Sequence, residues 1–207
     1  MNRVLGIVGS PRRDGNTHIL VSRLLEGARE AGATAETVLL GNLRIRECDG
    51  CHTCRRGKPC SKKDDMNTLY PKIMEADSIV FGTPVYWYGP TALMKAFIDR
   101  FVYFNCPGHR ARIAGKSAVT VIPLEDTDPE TWAPVVQFFA KSLAYLEMSL
   151  VGTVIAPGVG GKGEILGRPE ILREAFEMGK RLGRMTTARE TFGAADHGDP
   201  DTMDGMQ

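Results

Sequence analysis

Short, nearly unbroken apolar runs alternate along this chain with longer stretches in which apolar residues return every third or fourth position. Residues 3–9, RVLGIVG, form one such run and end at glycine, the pattern of a strand buried on both faces. From Thr17 to about Ala31 the apolar positions Ile19, Leu20, Leu24, Leu25 and Ala28 share a stripe, which predicts a helix. The alternation then repeats: strand 34–40, helix 65–75, strand 77–83, helix 90–103, strand 116–122, helix 130–145, strand 148–155 and helix 169–186. Five strands separated by helices need right-handed crossovers, so the pattern predicts an α/β protein with a doubly wound parallel sheet and helices on both faces.

Nothing in the chain reads as a linker, and 207 residues at 43% hydrophobic composition suit one sizeable core. We expect one domain over 1–187 and an acidic tail over 188–207, where ETFGAADHGDPDTMDGMQ has acidic residues, no basic ones and little to bury. Such a tail is expected to be mobile or to reach another subunit. With 26 basic residues against 25 acidic, no strong global field points to nucleic acid or membrane as partner. The apolar run at the N-terminus is too short for a signal peptide, and no stretch approaches a membrane span. A cytosolic protein is expected, in a compartment that keeps thiols reduced.

In a parallel sheet the loops after the strands gather at one edge, and ligands bind there where the strand order switches. The loop after the first strand is GSPRRDGNT, Gly9 to Thr17. Ser10, Asn16 and Thr17 supply donors, Arg12 and Arg13 supply charge, and the following helix offers free N–H groups, which together make a phosphate cradle. The G-x-G-x-x-G and G-x-x-x-x-G-K-[ST] fingerprints are absent, which argues against NAD or ATP as resident ligand and leaves a phosphomonoester such as that of FMN. An ordinary turn with Asn16 or Thr17 as helix cap is the plainer alternative. After the third strand, TPVYWYGPTALMKAFIDR sets Tyr86, Trp87 and Tyr88 between Pro84 and Gly89. Three adjacent aromatics are costly to expose, so they flank a planar ligand such as a flavin ring, form a subunit contact, or pack on a neighbouring loop.

GSPRRDGNT, the DDM of Asp64 to Met66, TPVYW and LMKAFIDR together resemble the flavodoxin-like NADPH-dependent FMN reductase superfamily over residues 3 to 105, and the cysteine spacing resembles its iron–sulfur flavoprotein branch. The resemblance implies a flavodoxin-like sheet in the order 2-1-3-4-5. It implies FMN phosphate at Ser10, Arg12, Asn16 and Thr17, the flavin ring beside Pro84, Val85, Tyr86 and Trp87, and a homodimer or homotetramer. It departs after the fourth strand, where relatives often carry a glycine-rich stretch and this chain has IPLEDTDPETW, Ile122 to Trp132. Leu124, Glu125 and Asp126 are the candidates there for the third wall of the flavin site.

The loop after the second strand, 44–64, holds Cys48, Cys51, Cys54 and Cys60 in the spacing C-x2-C-x2-C-x5-C. Three sulfurs two residues apart can face one point on a turning loop and the fourth closes the cage, as in the ferredoxin-type run that binds [4Fe–4S] clusters. Zinc, which usually takes two knuckles with a long spacer, and redox-active thiols stay open. Arg44, Arg46, Arg55, Arg56, Lys58, Lys62 and Lys63 flank the thiols, against Glu47 and Asp49. They suit an anionic cluster or the docking of an acidic electron carrier such as a ferredoxin, or they are simply a solvated surface. His52 is expected to face solvent or tune the site, Cys106 to be a bystander, and Asp99 and Arg100 to serve the end of their helix.

These readings converge on an FMN-dependent oxidoreductase that relays electrons between a [4Fe–4S] cluster and FMN, with NAD(P)H or a small electron carrier as partner. The rivals are an NAD(P)H-dependent FMN or quinone reductase without a cluster and a non-catalytic redox sensor.

Overall fold

The computed structural model describes residues 2–185. Its first strand, β1 (Arg3–Val8), is followed by α1 (Asn16–Glu30), β2 (Thr34–Leu39), α2 (Met66–Glu75) and β3 (Ser78–Gly82). A small hairpin of β4 (Val85–Tyr86) and β5 (Gly89–Pro90) leads into α3 (Ala92–Asp99) and α4 (Pro107–Arg110). The chain closes with β6 (Ser117–Pro123), α5 (Pro129–Tyr145), β7 (Ser149–Ala156) and α6 (Pro169–Arg184). The acidic segment expected at 188–207 lies outside the described residues.

Five strands make one sheet in the order β2-β1-β3-β6-β7, every pair parallel. Counting its strands in chain order, this is the 2-1-3-4-5 arrangement that the resemblance implies. Period-two alternation divides the core between the faces. Leu5, Ile7, Ile79, Phe81, Ala118 and Ile122 pack with residues of α2, α3 and α5, including Ile73, Phe97 and Phe139. Val4, Val8, Val80, Val119 and Val121 pack on the opposite face with Leu20, Leu24 and Leu25 of α1 and Ala175 and Leu182 of α6. Burial on both faces is why these strands read as continuous apolar runs. A Cβ at Gly27 would stand 2.0 Å from the Phe176 carbonyl oxygen and one at Gly179 1.8 Å from that of Leu24. The two glycines therefore let α1 and α6 touch backbone to backbone.

Two elements differ from the expected pattern. The helix expected over 90–103 is α3 capped by Thr91, whose Oγ1 accepts from Met94 N at 3.2 Å, followed by a 3₁₀ segment, Arg100–Asn105. Phe97, Phe101 and Phe104 are buried through both parts, and an apolar repeat of three to four residues fits either helix type. The β4–β5 hairpin was not foreseen, because two-residue strands are too short to show alternation. Among the described residues, no helix is long and apolar enough to cross a membrane.

Candidate functional site

The loops after β1, β3, β6 and β7 enclose a cavity of about 140 Å³ at the carboxyl edge of the sheet. The first loop contributes Ser10, Arg12, Asn16 and Thr17, the second Pro84, Val85 and Tyr86, the third Pro123, Leu124 and Glu125, and the fourth Val159 and Gly160. Residues far apart in sequence but expected to share a ligand thus line one cavity. The N-terminus of α1 opens into it without competition: Gly15 occupies the cap position with no side-chain cap, and the first turn has no acidic residue. That leaves its positive end to an anion.

Hydrogen bonds hold these loops to each other. Asn16 Nδ2 donates to the carbonyls of Val159 at 3.1 Å and Gly161 at 2.9 Å, while its Oδ1 accepts from Ile165 N at 3.2 Å. Arg12 Nη1 donates to Gly160 O at 2.8 Å, and Ser10 Oγ accepts from Arg12 N at 3.2 Å. Asn16 therefore faces the cavity while its amide is spent on the loop after β7. Leu124 N donates to Ala156 O at 3.0 Å and Val159 N to Leu124 O at 2.9 Å, joining the third loop to the fourth.

The third wall is supplied by Pro123, Leu124 and Glu125 together with Val159 and Gly160. Asp126 turns away and accepts from Thr131 Oγ1 at 2.7 Å and Asp128 N at 3.0 Å at the start of α5. Val159 and Gly160 were missed by sequence reasoning, although the signal was present: PGVGGKG, Pro157 to Gly163, is a glycine-rich stretch, here after β7. Trp87 stands apart from the cavity wall, 96% exposed at the tip of the hairpin. Trp87 and Tyr88 have φ of 49° and 59°, a left-handed conformation that costs a non-glycine residue roughly 1–2 kcal/mol. The strained turn displays the aromatic rings outward.

The cysteine loop opens at the same edge, and Cys48, Cys51, Cys54 and Cys60 line one small cavity of about 20 Å³ with Tyr70, Arg100 and Tyr103. The environments of the thiols differ. Cys51 is exposed, with the hydroxyls of Ser61 and Thr53 at 3.1 and 3.4 Å from its Sγ, which hold its thiol below the ordinary cysteine range. Cys54 is buried, and burial, together with the neighbouring thiols of Cys106 and Cys60, pushes it up to about 11. Cys106, expected as a bystander, is thus buried beside Cys54. Among the described residues, no three His, Cys, Asp or Glu side chains are gathered so as to hold a metal ion.

The loop's inner side is anchored by Arg100, whose side chain is 1% exposed. Its Nη1 donates to Asp64 Oδ2 at 2.6 Å and Arg46 O at 3.0 Å, and its Nη2 to Cys60 Sγ at 3.2 Å. Burial opposes ionisation of Asp64 most strongly, but the bond and charge of Arg100 together with the N–H groups of Arg46 and Met66 outweigh it and hold the carboxyl below the usual carboxylate range. Asp99 bonds Lys95 instead, so the two charges at the end of α3 part company. Of the flanking basic residues, Lys62 donates to Asp49 at 2.9 Å, which with the Cys51 N–H draws that carboxyl down to about 2. Arg44, Arg46, Arg55, Arg56, Lys58 and Lys63 are exposed, as is His52.

Residues 2–124 match the family model described as NADPH-dependent FMN reductase. The chain is similar to an iron-sulfur flavoprotein of Archaeoglobus fulgidus, 30% identical over 182 residues, which cover 87% of this chain and 78% of the relative. A second iron-sulfur flavoprotein of that organism is 34% identical over 165 residues, 80% of this chain and 81% of the relative. Among solved structures, an NAD(P)H:quinone oxidoreductase from Methanothermobacter marburgensis shares the fold with a TM-score of 0.73 at 21% identity, covering 89% of this chain and 97% of that one.

Proposed function

Since the chain belongs to the NADPH-dependent FMN reductase family, in its iron–sulfur flavoprotein branch, and is a flavin-dependent oxidoreductase, we propose that it relays electrons between FMN and a [4Fe–4S] cluster held by Cys48, Cys51, Cys54 and Cys60. The observation that carries this reading is a pair of cavities, one at the carboxyl edge lined by the phosphate loop and the other lined by the four thiols of the loop after β2 together with Tyr70 and Arg100.

In this reading the FMN phosphate lies at Ser10, Arg12, Thr17 and the N-terminus of α1, where an uncapped helix end and a guanidinium favour an anion. Asn16 holds the loop after β7 closed against it. Pro84, Val85 and Tyr86 on one side and Leu124 and Gly160 on the other flank the ring and limit its access to water. The cysteine loop brings four soft donors to one cavity beside a buried cation, which suits an anionic iron–sulfur centre. That cavity is small, so loading it requires the exposed arm with Cys48 and Cys51 to yield while Cys54 and Cys60 stay anchored. When bound, a cluster carries single electrons and a flavin one or two, so the pair can join a one-electron carrier to a two-electron partner such as NAD(P)H.

The same reading takes residues 1–187 as one FMN-binding domain with the cysteine loop 44–64 as its second centre, and places the protein in the cytosol. The outward Trp87 and the half-exposed Tyr86 and Tyr88 support a contact with a second copy, in a dimer or tetramer. A cluster-free NAD(P)H-dependent FMN or quinone reductase is the second reading, favoured by the spread of the sulfurs, no three of which, among the described residues, are gathered around a metal position. Iron, sulfide and flavin analysis of anaerobically purified and reconstituted protein decides between them. The cluster reading expects about four irons and four sulfides per chain, with FMN bound; flavin without iron or sulfide leaves the reductase.

A further inference from the structure

We infer that Arg100 and Tyr70 are positioning residues for the cysteine-bound centre: Arg100 fixes the Cys60 sulfur by a hydrogen bond from a buried cation, Tyr70 offers a second donor, and together they raise the centre's reduction potential. The inference rests on the cluster reading and deepens it.

Arg100 is among the largest fully buried side chains of the protein, and burying a guanidinium is costly unless it is paired and all its donors are used. Asp64 supplies the counter-charge from a side chain 4% exposed. A buried ion pair of this kind is weak evidence for stability, since apolar side chains of similar volume commonly do as well. The second terminal nitrogen shows what the arrangement does beyond folding: Nη2 donates to Cys60 Sγ, 3.2 Å away. Tyr70 is 5% exposed and lines the same cavity, and its hydroxyl completes no hydrogen bond of good geometry although Arg100 and Cys60 both lie close enough to act on it. Buried hydroxyls without partners are rare, and this one borders a cavity lined by four cysteines. The acceptor already nearest it is the Cys60 sulfur, so a small movement of the loop would let the hydroxyl donate to that ligand.

The placement also joins the two centres. α3 begins just after its cap Thr91, whose hydroxyl donates to the Gly9 carbonyl at the start of the phosphate loop, and ends one residue before Arg100. Eight residues of helix, about 12 Å, therefore run from the flavin pocket to the cluster's fourth ligand. Thiolate ligands make the centre anionic, and it gains another negative charge on reduction. A buried positive charge and hydrogen bonds to its sulfurs stabilise the reduced state more than the oxidised one.

The test uses anaerobically reconstituted full-length protein in four forms: wild type, Tyr70→Phe, Arg100→Lys and Arg100→Gln. Iron, sulfide and FMN contents are measured, then the midpoint potentials of cluster and flavin in the same redox titration. Tyr70→Phe should keep iron, sulfide and flavin and lower the cluster potential, leaving that of the flavin in place. Arg100→Gln should lower it further, and Arg100→Lys should recover part of the loss. If Arg100→Gln does not fold, Tyr70→Phe still decides. Full iron and sulfide with an unmoved cluster potential in Tyr70→Phe and Arg100→Lys overturns the inference and leaves the cluster reading intact. No iron or sulfide in wild type overturns both.

Discussion

The flavin pocket at the carboxyl edge of the sheet and the cysteine-lined cavity at the far end of α3 are built in opposite ways. Around the flavin pocket, four loops leave parallel strands and are tied to each other by Asn16, Arg12 and the backbone of Leu124 and Val159. The protein's own hydrogen bonds hold its walls to one another. The cysteine loop spans the long connection between β2 and α2, and its internal backbone bonds are short-range turns at His52, Thr53 and Cys54. Arg100 and Asp64 grip its inner side, where Cys54 is buried, a bond from Asp65 N to Arg44 O closes its base, and its outer arm, where Cys51 faces solvent, is tied only by side-chain bonds from Lys62 to Asp49 and between Ser61 and Cys51. A site on a scaffold can be pre-formed, whereas a site on a long loop needs an anchor and then its ligand to finish it.

The sharpest way to break this comparison is to remove the anchor. Asp64→Asn leaves Arg100 buried without its counter-charge, a loss of about 3–5 kcal/mol for a buried pair broken on one side, read as a lower urea midpoint. A cost below about 1 kcal/mol would mean that the loop is held elsewhere. The same pair predicts a pH dependence. The folded Asp64 carboxyl lies below its unfolded value of about 3.9, so its stabilisation is present above that value and is lost as pH falls through the folded one. Wild type should show this acid loss, and Asp64→Asn should lack its share of it.

A middle-sized effect belongs to the flavin side. Thr17→Ala removes a hydroxyl at the uncapped end of α1, and together with Asn16→Ala it also frees the loop after β7. Loss of one bond to a charged phosphate corresponds to about 1.5–3 kcal/mol, so FMN titrated into apo-protein should bind at least tenfold more weakly, with the fold retained. Unchanged affinity would move the phosphate out of this pocket. The smallest effect on flavin is expected at Trp87, which was anticipated beside the ring but is outside the cavity wall. Trp87→Ala should change FMN affinity by less than about 1 kcal/mol, in keeping with exposed positions, and lower the mass of the assembly in sedimentation. A weakened flavin with an unchanged assembly would return Trp87 to the ring.

The difference between the two regions also explains what could be read in advance. Strands were legible because burial on both faces makes runs such as 4–8 and 79–81 continuously apolar, helices because Leu20, Leu24 and Ala28 return with a helical period, and the residues of the flavin cavity follow because parallel strands deliver their loops to one edge. The spacing of the four cysteines was equally local. Hidden from the sequence were contacts between distant residues. Arg100 looks like a basic residue at the end of a helix, and only the fold brings it to Asp64 and Cys60. Asn16 looks like a phosphate donor or a cap, and only the fold spends its amide on Val159 and Gly161. Gly160 lay in a glycine-rich stretch that was in plain view after β7, while the third wall was sought after β6.

The most direct test of the relay is to reduce bound FMN in two ways, in wild type and in Cys54→Ala, both anaerobically reconstituted and saturated with FMN. The account predicts that a one-electron donor such as reduced ferredoxin reduces the flavin rapidly in wild type and slowly in Cys54→Ala, which loses its iron and sulfide, while NADPH reduces both alike. Cys106→Ala, keeping its iron, should behave as wild type. Equal rates from the one-electron donor in wild type and Cys54→Ala would contradict the relay and leave the flavin pocket working alone.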